Sequence, residues 1–511
     1  MKKMKKFLGI MLAMVMAVTM LAGCGGSSKE SSSSDNGKTL KFGCFSYSES
    51  LDPANMINSA WCSSRYGIGE CLFKYKDDLS VENTICDEYS TEDNKTWVFH
   101  IRDGVKFSNG NDVTPSAIKA CWDVLYANKT GSSNPSKFMD YESITPDDDA
   151  RTLTIVLKQA KADLRKDLAY PVFVILDVSG DYDLAENPIG TGPFKVKKFA
   201  EGQYLELEKY DGYWNQDLDC VTSAKFKFIA DAEAAFLELQ GGTIDMLLYL
   251  TNDQVQALNS DYNVVESTMM LIHGLFLNNS YEPLQDVRVR QALNYAIDRD
   301  AINEFLFNGK SKIIQTHGYP MITAWYNADT EGTYTYDVEK AKELLTEAGY
   351  GDGFDLEITV PSNYSQHVQT AEIIAEQLAA VGVNVTINQI EWSAWLSDVY
   401  QGRDYQSTVI GFDISSQAPS TWYKRYYTES SNDFTNFSNT EYDELYGQAL
   451  ATVDKDQKHE IYNKLQQILT DEAASVFIED PANLIALNKK YTGYQTYAVS
   501  AIDLSLIKLA Q

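Results

Sequence analysis

The stretch FDLEITVPSNYSQHVQTAEIIAEQLAAVGVNVTINQI, residues 354–390, carries the clearest fold signal in this chain of 511 residues. Apolar and polar residues alternate from Phe354 to Val360 and again from Val383 to Ile387, as they do in strands with one buried face. Between these strands, apolar residues recur at helical spacing up to Gly382, which suits a helix end. The helical stripe consists of Ala371, Ile374, Ala375, Leu378 and Val381. The pattern predicts a βαβ unit with parallel strands and a right-handed crossover.

The chain beyond this unit continues the same alternation of helix and strand. A further helix carries Trp392 and Trp395, and a strand at Tyr405–Gly411 runs into Phe412-Asp413-Ile414. In open α/β sheets, ligands bind beyond the carboxyl ends of the strands. The loop after Gly411 is therefore the first place where we expect a binding site.

Similar patterns recur earlier in the chain. We expect strands at Thr39–Phe45, Trp97–Ile101 and Leu153–Leu157, and a helix that Thr114 caps and Pro115 begins. The buried stripe expected for that helix is Ala117, Ile118, Cys121, Val124 and Leu125. A second stripe, at Val289, Ala292, Leu293, Ala296 and Ile297, predicts a core-facing helix.

The N-terminus has the pattern of a secretory signal. Four lysines precede an apolar run, Phe7–Leu21, that is too short to span a bilayer. The following Leu21-Ala22-Gly23-Cys24 resembles a bacterial lipobox, which implies cleavage before Cys24 and a lipid on its sulfur. Gly25–Lys38 contains no apolar residue and is typical of a tether. We expect a protein held outside the cell membrane by a lipid at Cys24; the alternative is an ordinary signal peptide with a chance cysteine.

Length, charge and cysteine content limit the function classes. The 487 residues beyond position 24 exceed what one core holds, so we expect two or more lobes. That part carries 39 basic and 72 acidic residues, a net charge of −33, which argues against binding nucleic acid or anionic lipid. Its six cysteines allow 15 disulfide connectivities or none, and no CxxC pair indicates zinc or redox chemistry.

The sequence shows no catalytic constellation. The five histidines, His100, His273, His317, His367 and His459, are isolated in the sequence, and neither HExxH nor GxSxG occurs. We therefore expect no enzyme and no cofactor. A surface hydrolase with a scattered triad, or an adhesive lipoprotein, is the alternative from another class.

Four further stretches carry a family resemblance. They are WVFHIRDGVKFSNGNDVTPSAIKACWDV (97–124), NPIGTGPFKVKKF (187–199), LQGGTIDM (239–246) and PLQDVRVRQALNYAIDRDAI (283–302). In this order they resemble the signature stretches of the extracytoplasmic solute-binding proteins of ABC importers, family 5, which includes oligopeptide-, dipeptide- and nickel-binding lipoproteins. The resemblance covers nearly the whole chain beyond the signal.

The resemblance implies an α/β fold with two periplasmic-binding-protein-like lobes (class II), an extra inserted domain and a ligand in the interlobe cleft. The implied domains are a signal at 1–23, a lipidated tether at 24–38, a first lobe from 39–60, 186–269 and 487–511, an insert at 61–185 and a second lobe at 270–486. The implied function is capture of a short peptide by cleft closure and delivery to ABC permease subunits, by a monomer. An oligosaccharide or a metal chelate is the alternative ligand.

The resemblance also implies contact positions. Family contact strands fall on Ser46-Tyr47-Ser48 and Gly411-Phe412-Asp413, and a family pocket tryptophan falls on Trp392. We add His273 to the candidate ligand-binding residues. The aspartate that holds a peptide α-amine in the family is Ser415 here, so Asp413 is the nearest acid that could replace it, and Val409 stands where an arginine is common. An oligosaccharide or chelate would instead be read by Tyr47, Trp392 and Phe412.

Overall fold

The computed structural model describes most of the chain beyond the tether. The described residues are 39–44, 50–54, 60, 63–76, 80–128, 134–161, 164–229, 231–320, 322, 325–414, 419–430, 433–452, 454–497 and 502–510. The predictions for Cys24, the tether, Ser46, Tyr47, Ser48 and Ser415 lie outside these residues.

The described strands form a seven-stranded, a six-stranded and a four-stranded sheet and two two-stranded ribbons. In chain order the strands are β1 (Thr39–Cys44), β2 (Phe73–Tyr75), β3 (Val81–Asn83), β4 (Cys86–Thr91), β5 (Thr96–Ile101), β6 (Tyr141–Asp147), β7 (Thr152–Leu157), β8 (Phe194–Ala200), β9 (Tyr204–Lys209), β10 (Ser223–Phe228), β11 (Met246–Leu247), β12 (Tyr262–Thr268), β13 (Leu271–Leu277), β14 (Lys312–Ile313), β15 (Phe354–Pro361), β16 (Val383–Ile390), β17 (Ser407–Asp413), β18 (Ser475–Asp480), β19 (Ala482–Asn488), β20 (Tyr491–Thr492) and β21 (Lys508–Leu509).

The helices lie between and outside the sheets. The described α-helices are Pro115–Ala127, Leu164–Leu168, Ala232–Gln240, Asn252–Ala257, Glu282–Gln285, Val287–Ala296, Arg299–Phe307, Val338–Glu347, Ser365–Ala379, Trp392–Ala394, Pro419–Tyr423, Thr440–Ala451 and Lys455–Asp471, and a π-helical segment spans Trp395–Gln401. Among these residues, no helix is long and apolar enough to cross a membrane.

The βαβ unit at the start of the sequence analysis is confirmed. β15 and β16 pair in parallel from Phe354 opposite Val383 to Pro361 opposite Ile390. The helix Ser365–Ala379 joins them and buries Ile374 and Leu378 completely. Full burial of such a side chain stabilises the fold by about 1.5–3 kcal/mol. The unit lies in the six-stranded sheet, whose order is β14-β18-β13-β17-β15-β16.

Three separate parts of the chain build the seven-stranded sheet, whose order is β12-β19-β11-β1-β10-β9-β8. The chain returns to this sheet at Ala482, five positions before the predicted limit of 487. The reason is that β19 pairs along its whole length with β12, from Ala482 opposite Thr268 to Asn488 opposite Tyr262. The remaining domain limits stay a prediction.

The four-stranded sheet, β4-β5-β7-β6, packs against the helix Pro115–Ala127. The Thr114 hydroxyl accepts a hydrogen bond from the Ala117 amide, which confirms the predicted cap. One part of the predicted stripe is wrong, because Val124 is exposed and Trp122 is fully buried in its place. The Trp122 ring packs edge to face on Phe173, a contact that helical periodicity alone does not show.

Two crossings connect the seven- and six-stranded sheets. β12 leads into β13 through Met269 and Met270, and β18 leads into β19 through Pro481. Met270 has a φ of 54°, a left-handed conformation that non-glycine residues adopt rarely. The Asp480 carboxylate accepts hydrogen bonds from the amides of Met269 (3.2 Å) and Leu271 (3.1 Å), so it ties the two crossings together.

The described cysteines are free thiols. Four of them, Cys44, Cys71, Cys86 and Cys121, are buried, and Cys220 is half-buried. Burial raises the pKa of the Cys71 thiol to about 12, so it stays protonated. Among these five residues, the structure contains thiols and no disulfide; Cys62 lies outside the described part of the chain.

Candidate functional site

A cavity of about 230 Å³ lies between the seven- and six-stranded sheets, beside the two crossings. We call it the cleft. Its lining comes from both sheets, from the start of the helix Ser365–Ala379 and from the segment after β20. The lining residues are Arg65, Leu248, Tyr249, Ser267, Thr268, Met269, Leu271, Tyr364, Gln366, His367, Trp392, Ile410, Gly411, Asp413, Asn483, Tyr494, Thr496 and Tyr497.

The strand β17 forms one wall of the cleft. It extends to Asp413, two residues beyond the predicted strand end at Gly411, so Phe412 and Asp413 belong to the strand and not to the loop expected after Gly411. Pairing with β13 along the whole strand holds them in this conformation. Because side chains alternate across a strand, Gly411 and Asp413 line the cleft while Phe412 points away from it.

Phe412 packs in the core in this structure and is absent from the cleft lining, and its role as a ligand contact stays a prediction. Its ring packs edge to face on Phe276 and lies under the Arg425 guanidinium, 4.3 Å from the ring centre. It is 9% exposed. The family motif gives the position of the segment and does not show which face of the strand each side chain takes.

Asp413 lies opposite a cation that the sequence analysis did not identify. Its Oδ2 is 3.7 Å from the guanidinium nitrogen Nη2 of Arg65, and the Asp413 and Arg65 side chains are 34% and 24% exposed. Burial lowers the pKa of Arg65 from its usual value, and the Asp413 carboxylate opposes that shift. The cleft therefore presents both signs of charge at one place.

Aromatic rings form another wall. Trp392 lines the cleft and stacks on the buried Trp395, with ring centres 5.3 Å apart and planes 5° from parallel. Tyr364 meets Trp392 edge to face at 5.7 Å. Trp392 thus packs on the core through one ring face and also lines the cleft. Tyr249, Tyr494 and Tyr497 add further rings.

His367 lines the cleft and contacts a second histidine behind it. Its Nδ1 is 3.0 Å from Nε2 of His273, and Nδ1 of His273 is 3.7 Å from Oε1 of Glu479. His273 and Glu479 are fully buried. His273 does not line the cleft, and its role as a ligand contact stays a prediction. We call these three residues the His–His–Glu cluster.

Burial governs the protonation of this cluster. It lowers the pKa of His273 to about 3 and that of His367 well below its usual value, where the neighbouring His273 adds to the effect. It raises the pKa of Glu479 to about 8. The Ser311 hydroxyl faces Glu479 and opposes the rise, without reaching hydrogen-bond geometry to either carboxylate oxygen. The cluster is therefore uncharged overall near neutral pH.

A second cavity of about 140 Å³ adjoins the cleft, since Arg65 and Tyr497 line both. Its wall includes Glu70, whose carboxylate accepts bonds from the Tyr213 hydroxyl (2.7 Å) and the Trp214 indole (3.2 Å). Burial raises the pKa of Glu70 to about 7. Both donors are side chains of this protein. The Glu70 carboxylate therefore links parts of the fold and indicates no separate ligand site.

The structure brings three predicted site residues, Trp392, Gly411 and Asp413, together at the cleft. Their role in ligand binding stays a prediction. The sequence analysis missed Arg65, Tyr249, Tyr364, His367, Asn483 and Tyr497. One signal in the sequence was available for Gln366 and His367. Both are polar residues at the start of a helix that follows a parallel strand, which is where ligands bind in open α/β sheets. Among the described residues, no group of three or more His, Cys, Asp or Glu side chains is arranged to hold a metal ion.

Two α/β sheets joined by two crossings, with a polar and aromatic cleft between them, define a solute-binding protein of the periplasmic type. Comparison with known proteins specifies the family. The model of the bacterial extracellular solute-binding proteins, family 5 (middle region), matches residues 81–434. The chain belongs to this family, whose members bind solutes for ABC importers and are not enzymes.

Several proteins to which this chain is similar are named for a ligand. The chain is 27% identical over 442 residues to the dipeptide-binding protein of Escherichia coli (strain K12), which covers 79% of this chain and 81% of that protein. It is 26% identical over 473 residues to the glutathione-binding protein GsiB of Salmonella typhimurium (strain LT2), covering 88% and 90%. The crystal structure of NikA from Staphylococcus aureus in complex with Ni(L-His)2 matches with a TM-score of 0.80 at 19% identity, covering 92% of this chain and 100% of that one. The predicted family and fold class are thereby confirmed.

Proposed function

We propose that this protein captures a short peptide in the cleft and delivers it to the permease of an ABC importer. The observation that carries the proposal is an open strand edge. β15 pairs with β17 only at Ser407 and Thr408, so residues 409–413 have no strand partner on that side among the described residues. An extended peptide can add to such an edge through backbone hydrogen bonds, which give affinity independent of side-chain identity.

The groups at the two ends of this edge suit the two ends of a peptide. Asp413 accepts the α-ammonium group, while Arg65 holds the Asp413 carboxylate in place. His367 lies beside Gly411 and donates to the α-carboxylate; a Cβ built on Gly411 would be 3.6 Å from its ring. Positions i and i+2 of a strand are about 7 Å apart, which matches two residues of extended peptide. Dipeptides are therefore the first ligands to test.

The crossings allow the cleft to close. Few backbone positions need to change when two lobes rotate about strands that connect them. Met269, Met270 and Pro481 are those positions here. Asp480 limits the motion, because it bonds amides on both sides of Met270. Closure would bring Asn483 and Tyr249 of the seven-stranded sheet onto a peptide that lies along β17.

Attachment to the membrane completes the proposal. A lipid on Cys24 and the tether 25–38 hold the cleft within reach of permease subunits. At about 3.5 Å per residue the tether spans at most roughly 50 Å. The relatives named for dipeptides and glutathione support a peptide ligand, since glutathione also carries a free α-amine and free carboxylates.

Calorimetry with matched dipeptides tests the ligand class. The tagged, purified protein is first analysed by native mass spectrometry for co-purified ligand, then unfolded and refolded to remove it. We expect Ala-Ala to bind, and N-acetyl-Ala-Ala and Ala-Ala amide to bind at least tenfold more weakly, because each lacks one charged end. Equal binding of all three, or a non-peptide as the co-purified ligand, contradicts the proposal.

One observation favours a second ligand class. Trp392 turns one ring face to Trp395 and lies in the cleft lining, and Tyr364 stands at its edge. Such a ring can stack on the apolar face of a sugar. A small oligosaccharide that binds with submillimolar affinity, and is lost with Trp392→Ala but not with Asp413→Asn, would establish this class in place of peptides.

A further inference from the structure

We propose that a small cavity beside the cleft is a subsite for one hydroxyl group of the ligand, which accepts a hydrogen bond from the Gln366 amide and donates one to the Asn363 side-chain oxygen. The inference rests on the proposed function for the dipeptide that carries the hydroxyl, and on the polar atoms of the cavity wall for the hydroxyl itself. Capture of a peptide by its two charged ends does not require such a subsite.

The small cavity has a volume of about 20 Å³ and lies between the seven- and six-stranded sheets, next to the cleft. The end of β11 borders it from one sheet, and residues 363–366 border it from the other. Four residues line both the small cavity and the cleft: Leu248, Tyr249, Tyr364 and Gln366. A group attached to a ligand in the cleft can therefore reach the small cavity.

Two buried side-chain atoms from the wall of the small cavity have no hydrogen-bond partner among the described residues. They are Nε2 of Gln366, whose side chain belongs to a residue that is only 8% exposed, and Oδ1 of Asn363. Buried polar atoms are nearly always hydrogen-bonded, because an unpaired one destabilises the fold. Nε2 is a donor and Oδ1 is an acceptor. The wall therefore suits a group that accepts and donates at the same time.

The chain places these two side chains where a ligand is expected. Asn363 lies in the turn that follows β15, and Gln366 is the second residue of the helix Ser365–Ala379. Both therefore follow the carboxyl end of a parallel strand, where ligands bind in open α/β sheets. Gln254 on the opposite wall has its own partners, since its Oε1 accepts from the Thr251 amide (3.0 Å) and its Nε2 donates to a carboxylate oxygen of Glu233 (3.1 Å). It does not complete the hydrogen bonds of the other two amides.

Size and chemistry together select a hydroxyl group. A volume of about 20 Å³ holds about one water-sized group. A hydroxyl has this size, accepts through its oxygen and donates through its hydrogen. A methyl group fits the space but leaves both amide atoms unpaired, and a charged group has no counter-charge among the described residues of the wall. Serine or threonine in a peptide and a sugar ring both carry hydroxyls, so the experiments separate these two sources. A bound water molecule is the alternative occupant, because it also accepts and donates.

Isosteric dipeptides test the subsite by calorimetry on the refolded protein. Ala-Ser and Ser-Ala each carry one hydroxyl, and their partners Ala-Abu and Abu-Ala, where Abu is 2-aminobutyrate, carry a methyl group in its place. We expect one of the serine peptides to bind at least about tenfold more tightly than its partner, because a site that bonds a hydroxyl rejects the analogue that lacks it. Equal affinity within both pairs overturns the proposal, and it is the result expected if a water molecule occupies the small cavity permanently.

Gln366→Met tests the donor, because it removes the amide and keeps the length of the side chain. The preference for the serine peptide over its partner should fall to less than about threefold in this variant, since the hydroxyl loses the amide that it bonds. The ratio of affinities within a pair is the readout, because a general loss of binding does not change it. Gln369→Met is the matched control: Gln369 lies on the same helix outside the lining of both cavities, so the preference should persist. A preference that persists in Gln366→Met, or is lost in the control, overturns the assignment of Gln366. If Gln366→Met does not fold, the wild-type pairs decide alone.

The source of the hydroxyl is tested with maltose and cellobiose. If no dipeptide binds, the peptide proposal fails, and the subsite stands only if one of these sugars binds and loses at least about tenfold in affinity in Gln366→Met. Binding of dipeptides without a preference for serine leaves peptide capture intact and overturns the subsite alone. Binding of neither dipeptides nor sugars overturns both.

Discussion

Replacing Asp413 by Asn is the sharpest test of how the cleft holds a peptide. The carboxylate lies 3.7 Å from Arg65, and Coulomb attraction at an effective dielectric constant of 20 is about 4 kcal/mol at that distance. Because the two side chains are 34% and 24% exposed, solvent screening reduces the net contribution to roughly 1 kcal/mol. Asp413→Asn should therefore lower the melting temperature of the ligand-free protein by only a few degrees.

The effect on binding should be much larger. An α-ammonium group enclosed against Asp413 loses its counter-charge in the variant and lies near the Arg65 guanidinium, which has the same sign of charge. Loss of one partner from such a desolvated charge pair costs about 2–5 kcal/mol, which is roughly 30- to 5,000-fold in affinity. We expect a loss in this range for Ala-Ala and a change of less than about threefold for N-acetyl-Ala-Ala, which has no ammonium group.

Titration calorimetry of the wild type and the variant with both ligands measures these values, and thermal unfolding without ligand checks the fold. Asp112→Asn is the matched control, since Asp112 is ion-paired with Lys106 and lies far from the cleft lining. If Asp413→Asn binds Ala-Ala as tightly as the wild type, the reasoning fails. It fails equally if the N-acetyl ligand is lost to the same extent, because the ammonium group would then not be what Asp413 recognises.

Three further changes have defined outcomes. Cys24→Ser should move the protein from the membrane fraction to the medium or periplasm, measured by fractionation, and firm retention would contradict lipid attachment at Cys24. Gly411→Ala should weaken Ala-Ala binding at least tenfold, because the new Cβ would lie 3.0 Å from Leu271 and narrow the space beside His367; Gly447→Ala, in open space on a helix, should keep binding and stabilise by up to about 1 kcal/mol. Glu479 has a folded-state pKa of about 8, above its unfolded value of about 4.3, so its ionisation should lower the free energy of unfolding as pH rises through that window, and the decrease should be smaller in Glu479→Gln when both are unfolded in urea at a series of pH values. An identical pH dependence in both proteins would show that Glu479 does not titrate in this range.

Local pattern predicted much of the secondary structure, because spacing of apolar residues and capping side chains act over a few residues. The βαβ unit at 354–390 and the cap at Thr114 follow from such patterns. The family resemblance predicted the overall fold, which the spacing of apolar residues does not determine. Local pattern did not predict that Trp122 is buried and Val124 exposed, because the Trp122 ring packs on Phe173, which lies far away in the chain.

The site depended on contacts between residues far apart in the chain. Arg65 and Asp413 lie far apart in the chain and meet only in the folded protein. His273 meets His367 because β13, β17 and the helix Ser365–Ala379 pack side by side. Phe412 illustrates the same limit: pairing with β13 makes the segment a strand, and the alternation of a strand then sends Phe412 to the core and its neighbours to the cleft. The sequence by itself determined most of the helices and strands, since those preferences are local, but not the extension of β17 to Asp413. Only the tertiary structure decided which charged and aromatic side chains share the cleft, since that depends on sheet register and on how the two sheets face each other.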